Sequence, residues 1–215
     1  MAGIDAPPLL DGFRINFFHQ AELQVAFDIP QFIRFFGHLE SFRPSSLTLE
    51  FNLHKPTISF LSNSTSHSAV PHLWHITDVS DCQRLDWQVI SVAQICSRIL
   101  PFRYSVKSLN IKCCLKGRSR GIQHDDVDFM IWSQLFHSFT SVHSLYIPAT
   151  LESSIAPALQ GLTGEPAAEL LPSLGRLSIV GNETAQLSIE SFLAAHQHSG
   201  RPVVVSRDGV RDIVR

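Results

Sequence analysis

The chain has 215 residues, 44% of them hydrophobic and 17% charged, with a formal net charge of −2. That length supports an apolar core without disulfides or a structural metal, the composition lies far from that of disordered chains, and the small negative charge argues against a broad electrostatic footprint for nucleic acid. No run reaches the roughly eighteen apolar residues of a membrane span, and Met1 to Pro8 lacks the basic-then-apolar layout of a signal peptide, so a soluble intracellular protein, cytoplasmic or nuclear, is expected.

In chain order, the first predicted element is a strand at Gly12-Phe13-Arg14-Ile15, followed after Pro30 by a short helix candidate at 31–38 carrying Phe32, Ile33, Phe35 and Phe36. Ser46-Leu47-Thr48-Leu49 reads as the next strand. Residues 51–81 are read as an irregular insertion or hairpin, with strands at Thr57-Ile58-Ser59-Phe60 and Leu73-Trp74-His75-Ile76 and a serine-rich loop between them. Trp87 to Leu100 sets Val89, Ala93, Cys96 and Leu100 on one apolar stripe at helical period, with Asp86 available as a cap. Ser108-Leu109-Asn110-Ile111 is a strand, and the basic run Lys116 to Gly121 follows it as a solvated loop. Asp125 or Asp126 starts a helix bearing Phe129, Trp132 and Phe136. After the strand Ser144-Leu145-Tyr146-Ile147, Ser153 or Ser154 precedes a helix with Ile155, Leu159 and Leu162. Arg176-Leu177-Ser178-Ile179 is a further strand, Thr184 precedes a helix with Ile189, Phe192, Leu193 and His196, and Gly200 and Pro202 stop it before the last strand at Val203-Val204-Val205.

These strands repeat one phrase, a small or polar residue ahead of two apolar residues separated by one variable position. Leu109 to Leu145 is 36 residues, Leu145 to Leu177 is 32, Phe13 to Leu47 is 34, and Leu47 to Leu109 is 62, which hides another element. A strand, a helix and two short connections fill such a unit. The phrase alternates apolar with Thr, Asn, Tyr or Ser, where a sheet covered on both faces would carry continuous Val/Ile/Leu runs, so only one face is expected to be buried. The fold class expected is therefore α/β, a single domain over residues 1–215 built as an irregular leucine-rich-repeat-like solenoid, with parallel strands on one side and helices on the other. Because a repeat phrase begins almost at once, with no capping element ahead of it, N-terminal truncation is expected. The first strand, near 13–18, should then expose an unpaired edge.

Cys82, Cys96, Cys113 and Cys114 include no CxxC pair and are expected to be reduced and buried or half-buried. GxGxxG, a phosphate-binding Gly-rich loop ending in Lys-Ser or Lys-Thr, GxSxG and HExxH are all missing, so the obvious enzymes are unsupported and no metal or cofactor is expected. His72 and His75 would lie on opposite faces of a strand. Asn63 and Asn182 open formal glycosylation sequons that should stay unmodified in an intracellular chain. The alternative reading is a fragment of an α/β enzyme whose strand ends gather His124, Asp125 and Asp128, although acidic residues at a helix start are expected from capping alone. The candidate partner-binding residues are positional: Arg14, Asn16, Thr48, Glu50, Asn110, Lys112, Tyr146, Arg176 and Ser178 flank the buried pairs and should line the outward face. Mixed charge with one tyrosine suits protein recognition, and Tyr146 and Arg176 are the residue types that carry binding energy disproportionately.

Trp87-Gln88-Val89 through Ile95-Cys96-Ser97, Phe139-Thr140-Ser141-Val142 with Leu145-Tyr146-Ile147, and Ala156 to Glu165 recur in a familiar order with Leu171-Pro172-Ser173-Leu174 and the ending Phe192 to Val205. Together they resemble the C-terminal leucine-rich-repeat-like part of the F-box proteins of mushroom-forming fungi, over nearly the whole chain. The resemblance implies the substrate-recruiting arm of a cullin-type ubiquitin ligase, with an F-box binding a Skp-family adaptor. No F-box is visible here, so the adaptor is implied only if that segment is supplied. A protein partner is expected, with neither nucleic acid nor membrane.

Overall fold

The computed structural model describes residues 13–17, 23–27, 43–52, 56–62, 72–78, 84–98, 103–114, 127–160, 170–181 and 189–208. The strands are β1 (Phe13–Phe17), β2 (Leu23–Phe27), β3 (Ser46–Phe51), β4 (Thr57–Ser62), β5 (His72–Asp78), β6 (Ser108–Cys113), β7 (Ser144–Pro148), β8 (Arg176–Val180) and β9 (Val204–Asp208). The helices are α1 (Leu85–Arg98), α2 (Phe129–His137), α3 (Glu152–Leu159) and α4 (Glu190–His198). The chain is thus α/β. Expectations placed on 31–38, on the loop residues 63–66, on Lys116 to Gly121, and on Cys82, Asp125, Asp126 and Thr184 lie outside the described residues.

All nine strands join one sheet in the order β2-β1-β5-β4-β3-β6-β7-β8-β9. From β3 to β9 the neighbours run parallel, as expected; from β3 to β2 they run antiparallel, which corrects the expectation that the first strand joins the parallel repeat. Alternation alone serves both pairings, because the side-chain period of two is the same in each. In the stretch 51–81, β4 runs antiparallel to both β3 and β5. The expected open edge at the first strand is also corrected: β1 pairs with β2 on one side and β5 on the other, so its main-chain groups are used on both flanks.

Register converts the alternation into rows. Leu47 lies opposite Phe60 and Leu109, and the row continues through Leu145 and Leu177 to Val205. Leu47, Phe60, Leu109, Leu145 and Leu177 are fully buried, and Leu49, Ile58, Ile111, Ile147 and Ile179 form the next inward level. Each such side chain withdrawn from water contributes about 1.5–3 kcal/mol before conformational entropy is counted. The outward positions of β3, β4, β6 and β7 remain half-buried or exposed.

The helices close the inward side. α1 packs beside α2 and α2 beside α3, with α1 also against β3. α1 presents Val89, Val92, Ala93, Ile95 and Cys96 to one cluster with the inward rows. From α2, Trp132 meets Phe51 edge-on at 5.8 Å and stacks on Phe136 at 6.1 Å. Asp128 caps α2 by accepting the Met130 N–H at 2.9 Å, so the helix starts beyond Asp125 and Asp126. Ser153 and Ser154 lie inside α3 rather than ahead of it, and Asp86 lies in the first turn of α1, its carboxylate accepting the Trp87 N–H. α4 ends as sequence predicts, on Gly200 at φ 69°. The Gly200 N–H donates to Gln197 and the Arg201 N–H to His196, a pair of bonds that satisfies two orphaned helix carbonyls. Cys96 is buried and Cys113 half-buried, but Cys114 is exposed, contrary to expectation, because β6 has ended one residue earlier.

The starts of β3, β6, β7 and β8 share one main-chain pattern. The Ser45 carbonyl accepts both Lys107 and Ser108 N–H groups, the Lys107 carbonyl accepts His143 and Ser144, and the His143 carbonyl accepts Gly175 and Arg176. Two residues ahead of β3, β6, β7 and β8 sits a buried anchor: Pro44, Val106, Val142 and Leu174. The repeating frame is therefore six residues long, and its first position is apolar.

Candidate interaction face

The outward face is built by the same register. Thr48 lies opposite Asn110, Asn110 opposite Tyr146, Tyr146 opposite Ser178 and Ser178 opposite Ser206. On the antiparallel side the row continues from Thr48 to Ser59 and His75, then to Asn16 and Gln24. Every position of this nine-strand row is polar. One level toward the strand ends, Glu50 lies opposite Lys112 and Thr57, and Thr57 opposite Thr77, which faces Arg14.

The nine predicted site residues fall as follows. Thr48, Glu50, Asn110 and Tyr146 are half-buried on the outward face, and Lys112 and Arg176 are exposed. Arg14 and Asn16 belong to these rows by register. Ser178 is corrected: it is buried, with its hydroxyl 2.8 Å from that of Ser206, so it joins β8 to β9 instead of offering a contact. Neighbouring strands supplied that hydroxyl, and period-two reasoning within one strand could not.

Of the alternative acidic site, Asp128 serves α2 as its cap, while His124 and Asp125 lie outside the described residues. Among the described residues no group of three or more His, Cys, Asp or Glu side chains could hold a metal ion, and no helix is long and apolar enough to cross a membrane.

Two buried polar groups escape sequence reasoning. Glu152 is fully buried, and both its oxygens accept from Arg207, at 2.7 and 3.1 Å. His196 is buried against Phe192, ring centroids 4.5 Å apart, and neither ring nitrogen makes a well-formed hydrogen bond. Burial, and then the nearby Arg201 charge, lower its pKa, opposed by main-chain groups of Leu170 and Arg201 that favour the protonated ring without reaching bonding geometry. A polar residue within the otherwise apolar stripe of α4 was the available signal for His196. For Glu152 and Arg207, 55 residues apart, the sequence carries no such signal.

No family model matches the chain, and no curated protein matches it. Among solved structures, a weak likeness is to the A domain of carboxylic acid reductase from Segniliparus rugosus, in complex with AMP and a co-purified carboxylic acid. Identity is 9%, the alignment covers 84% of this chain and 28% of that one, and the TM-score is 0.18, a level at which it carries no argument.

Proposed function

We propose that the chain is a protein–protein interaction module, an irregular leucine-rich-repeat-like solenoid with strands on one side and helices on the other, acting like the substrate-recognition arm of an F-box ubiquitin-ligase subunit. A cullin-ligase adaptor enters this reading only where an F-box accompanies the repeats. The observation that carries the proposal is the row Thr48, Asn110 and Tyr146, held in register on adjacent parallel strands and half-exposed over a closed core. A rigid sheet presents such side chains at fixed spacing, so little ordering cost remains to be met on binding. The repeated carbonyl pattern at the strand starts supports the solenoid part, because each unit is placed by the one before it.

The test uses a photo-crosslinking phenylalanine analogue at position 146, compared with the same group at Gln134 on the exposed side of α2. The expected result in extract of the native cells is a protein adduct from position 146 and none from position 134, diminished by Arg176→Ala. Equal adducts at both positions, or none at position 146 with a demonstrably reactive probe, would overturn the proposal.

A further inference from the structure

The described acidic residues gather at one end of the strands, where Arg84, Lys112 and Arg207 stand among them. The described acidic residues are Glu50, Asp78, Asp86, Asp128, Glu152, Glu190 and Asp208; each lies toward the C-terminal end of β3, β5 or β9 or in the first turn or cap of a helix. The opposite end, where the parallel strands begin, holds no described acidic residue. Instead each of the five parallel strands has one exposed basic side chain at or just ahead of its start: Arg43 for β3, Lys107 for β6, His143 for β7, Arg176 for β8 and Arg201 for β9.

These groups are ordered by the main chain. Lys107, His143 and Arg176 sit on successive steps of the carbonyl pattern that ties β6 to β7 and β7 to β8. His143 donates its Nδ1–H to the Ser141 carbonyl at 2.8 Å, which fixes the ring beside the strand start. Arg201 donates to the Pro172 carbonyl at 2.8 Å, which holds its guanidinium beside the preceding unit. Beside the basic groups, Ser46, Ser108 and Ser144 form a row of hydroxyls in register.

Complementing the helix dipoles does not account for Lys107 and His143. That effect fades within the last helical turn, whereas Lys107 and His143 lie nine and six residues beyond the ends of α1 and α2.

We propose that this basic rim is a docking site for an acidic peptide segment of a partner protein, laid across the strand starts from β3 to β9. The inference rests on the interaction-module reading and adds the chemistry of the partner. Five strands about 4.8 Å apart span roughly 19 Å, the length of about six extended residues. A short acidic segment fits that span and meets five basic groups. A long polyanion would also meet the acidic end of a chain whose net charge is −2, which favours a peptide over nucleic acid.

The experiment measures fluorescence anisotropy with the full chain and a fluorescein-labelled ten-residue peptide of alternating Glu and Ser. The matched peptide with Gln for Glu, a ten-nucleotide oligothymidine and phosphatidylserine vesicles serve as comparison probes. Binding of the Glu peptide that weakens steeply with salt and falls at least tenfold in Lys107→Gln/Arg176→Gln, but not in Arg84→Gln, an exposed arginine ahead of α1 at the opposite end, supports the rim; unchanged circular dichroism shows that the variants fold. Equal binding of the Gln peptide, tighter binding of oligothymidine or vesicles, or undiminished binding by the double variant overturns it. An adduct at position 146 without Glu-peptide binding overturns the rim alone and leaves the module reading standing.

Discussion

The guanidinium of Arg207 grips both oxygens of Glu152, a fully buried carboxylate at the first turn of α3, from a position on β9 that lies opposite Ile179 in the inward rows. A charge turned inward on a terminal strand discourages further strands from adding there. Arg207 itself stays 44% exposed, so the pair is sealed on the carboxylate side and open to water on the other.

Arg207→Ala therefore leaves a buried carboxylate without its counter-charge and should cost about 2–4 kcal/mol, less than a fully enclosed pair because water reaches the vacated side. Glu152→Gln should cost less, since an amide tolerates burial better than an unpaired charge. Urea unfolding reads both; a wild-type midpoint for Arg207→Ala would show that the pair contributes nothing.

His196 gives a pH dependence of definite sign. Its folded-state pKa lies below the ordinary 6.5, so between the two values the unfolded chain binds more protons and stability rises with pH. The contribution is fully present above the unfolded value and is lost as pH falls through that window toward the folded pKa. His196→Phe should flatten stability against pH just below 6.5 relative to the parent; parallel profiles for the two proteins would refute the assignment.

Trp132 is wholly enclosed, and its indole N–H has no acceptor. Trp132→Ala should cost about 3–5 kcal/mol through the cavity it opens. Trp132→Phe, which also removes the unpaired donor, should recover most of that loss. Thermal unfolding of the two variants separates volume from hydrogen bonding; equal losses would show that volume is not the governing quantity.

Gly181 combines φ 136° with a close approach: a Cβ there would lie 3.1 Å from the Ala149 Cβ. Gly200, at φ 69°, has open space around it. Gly200→Ala should cost about 1 kcal/mol from backbone conformation alone, and Gly181→Ala more. Ala149→Gly should rescue only the steric part of the Gly181→Ala defect, as chemical denaturation of the double variant would show.

The two-sided character of the strands is legible because alternation is a property of adjacent residues, as in Leu47-Thr48-Leu49. Which strands pair, and in which direction, is not: Phe13-Arg14-Ile15 alternates like Leu109-Asn110-Ile111, yet one sits in the antiparallel half and the other in the parallel half. Outward placement of Tyr146 follows from its own strand, whereas the burial of Ser178 depends on Ser206 in another. The anchors Pro44, Val106, Val142 and Leu174 stand in the sequence at constant offset, but their differing side chains hide the shared position until burial reveals it.

The doubly accepting carbonyls of Ser45, Lys107 and His143 make the polypeptide backbone the ruler of the front surface. The stretches of chain between strands differ in length, 36 residues from Leu109 to Leu145 and 32 from Leu145 to Leu177, yet the strands stay in step because these carbonyls set each start against the one before. The spacing of the outward rows therefore answers to main-chain bonding and not to the length of the intervening chain.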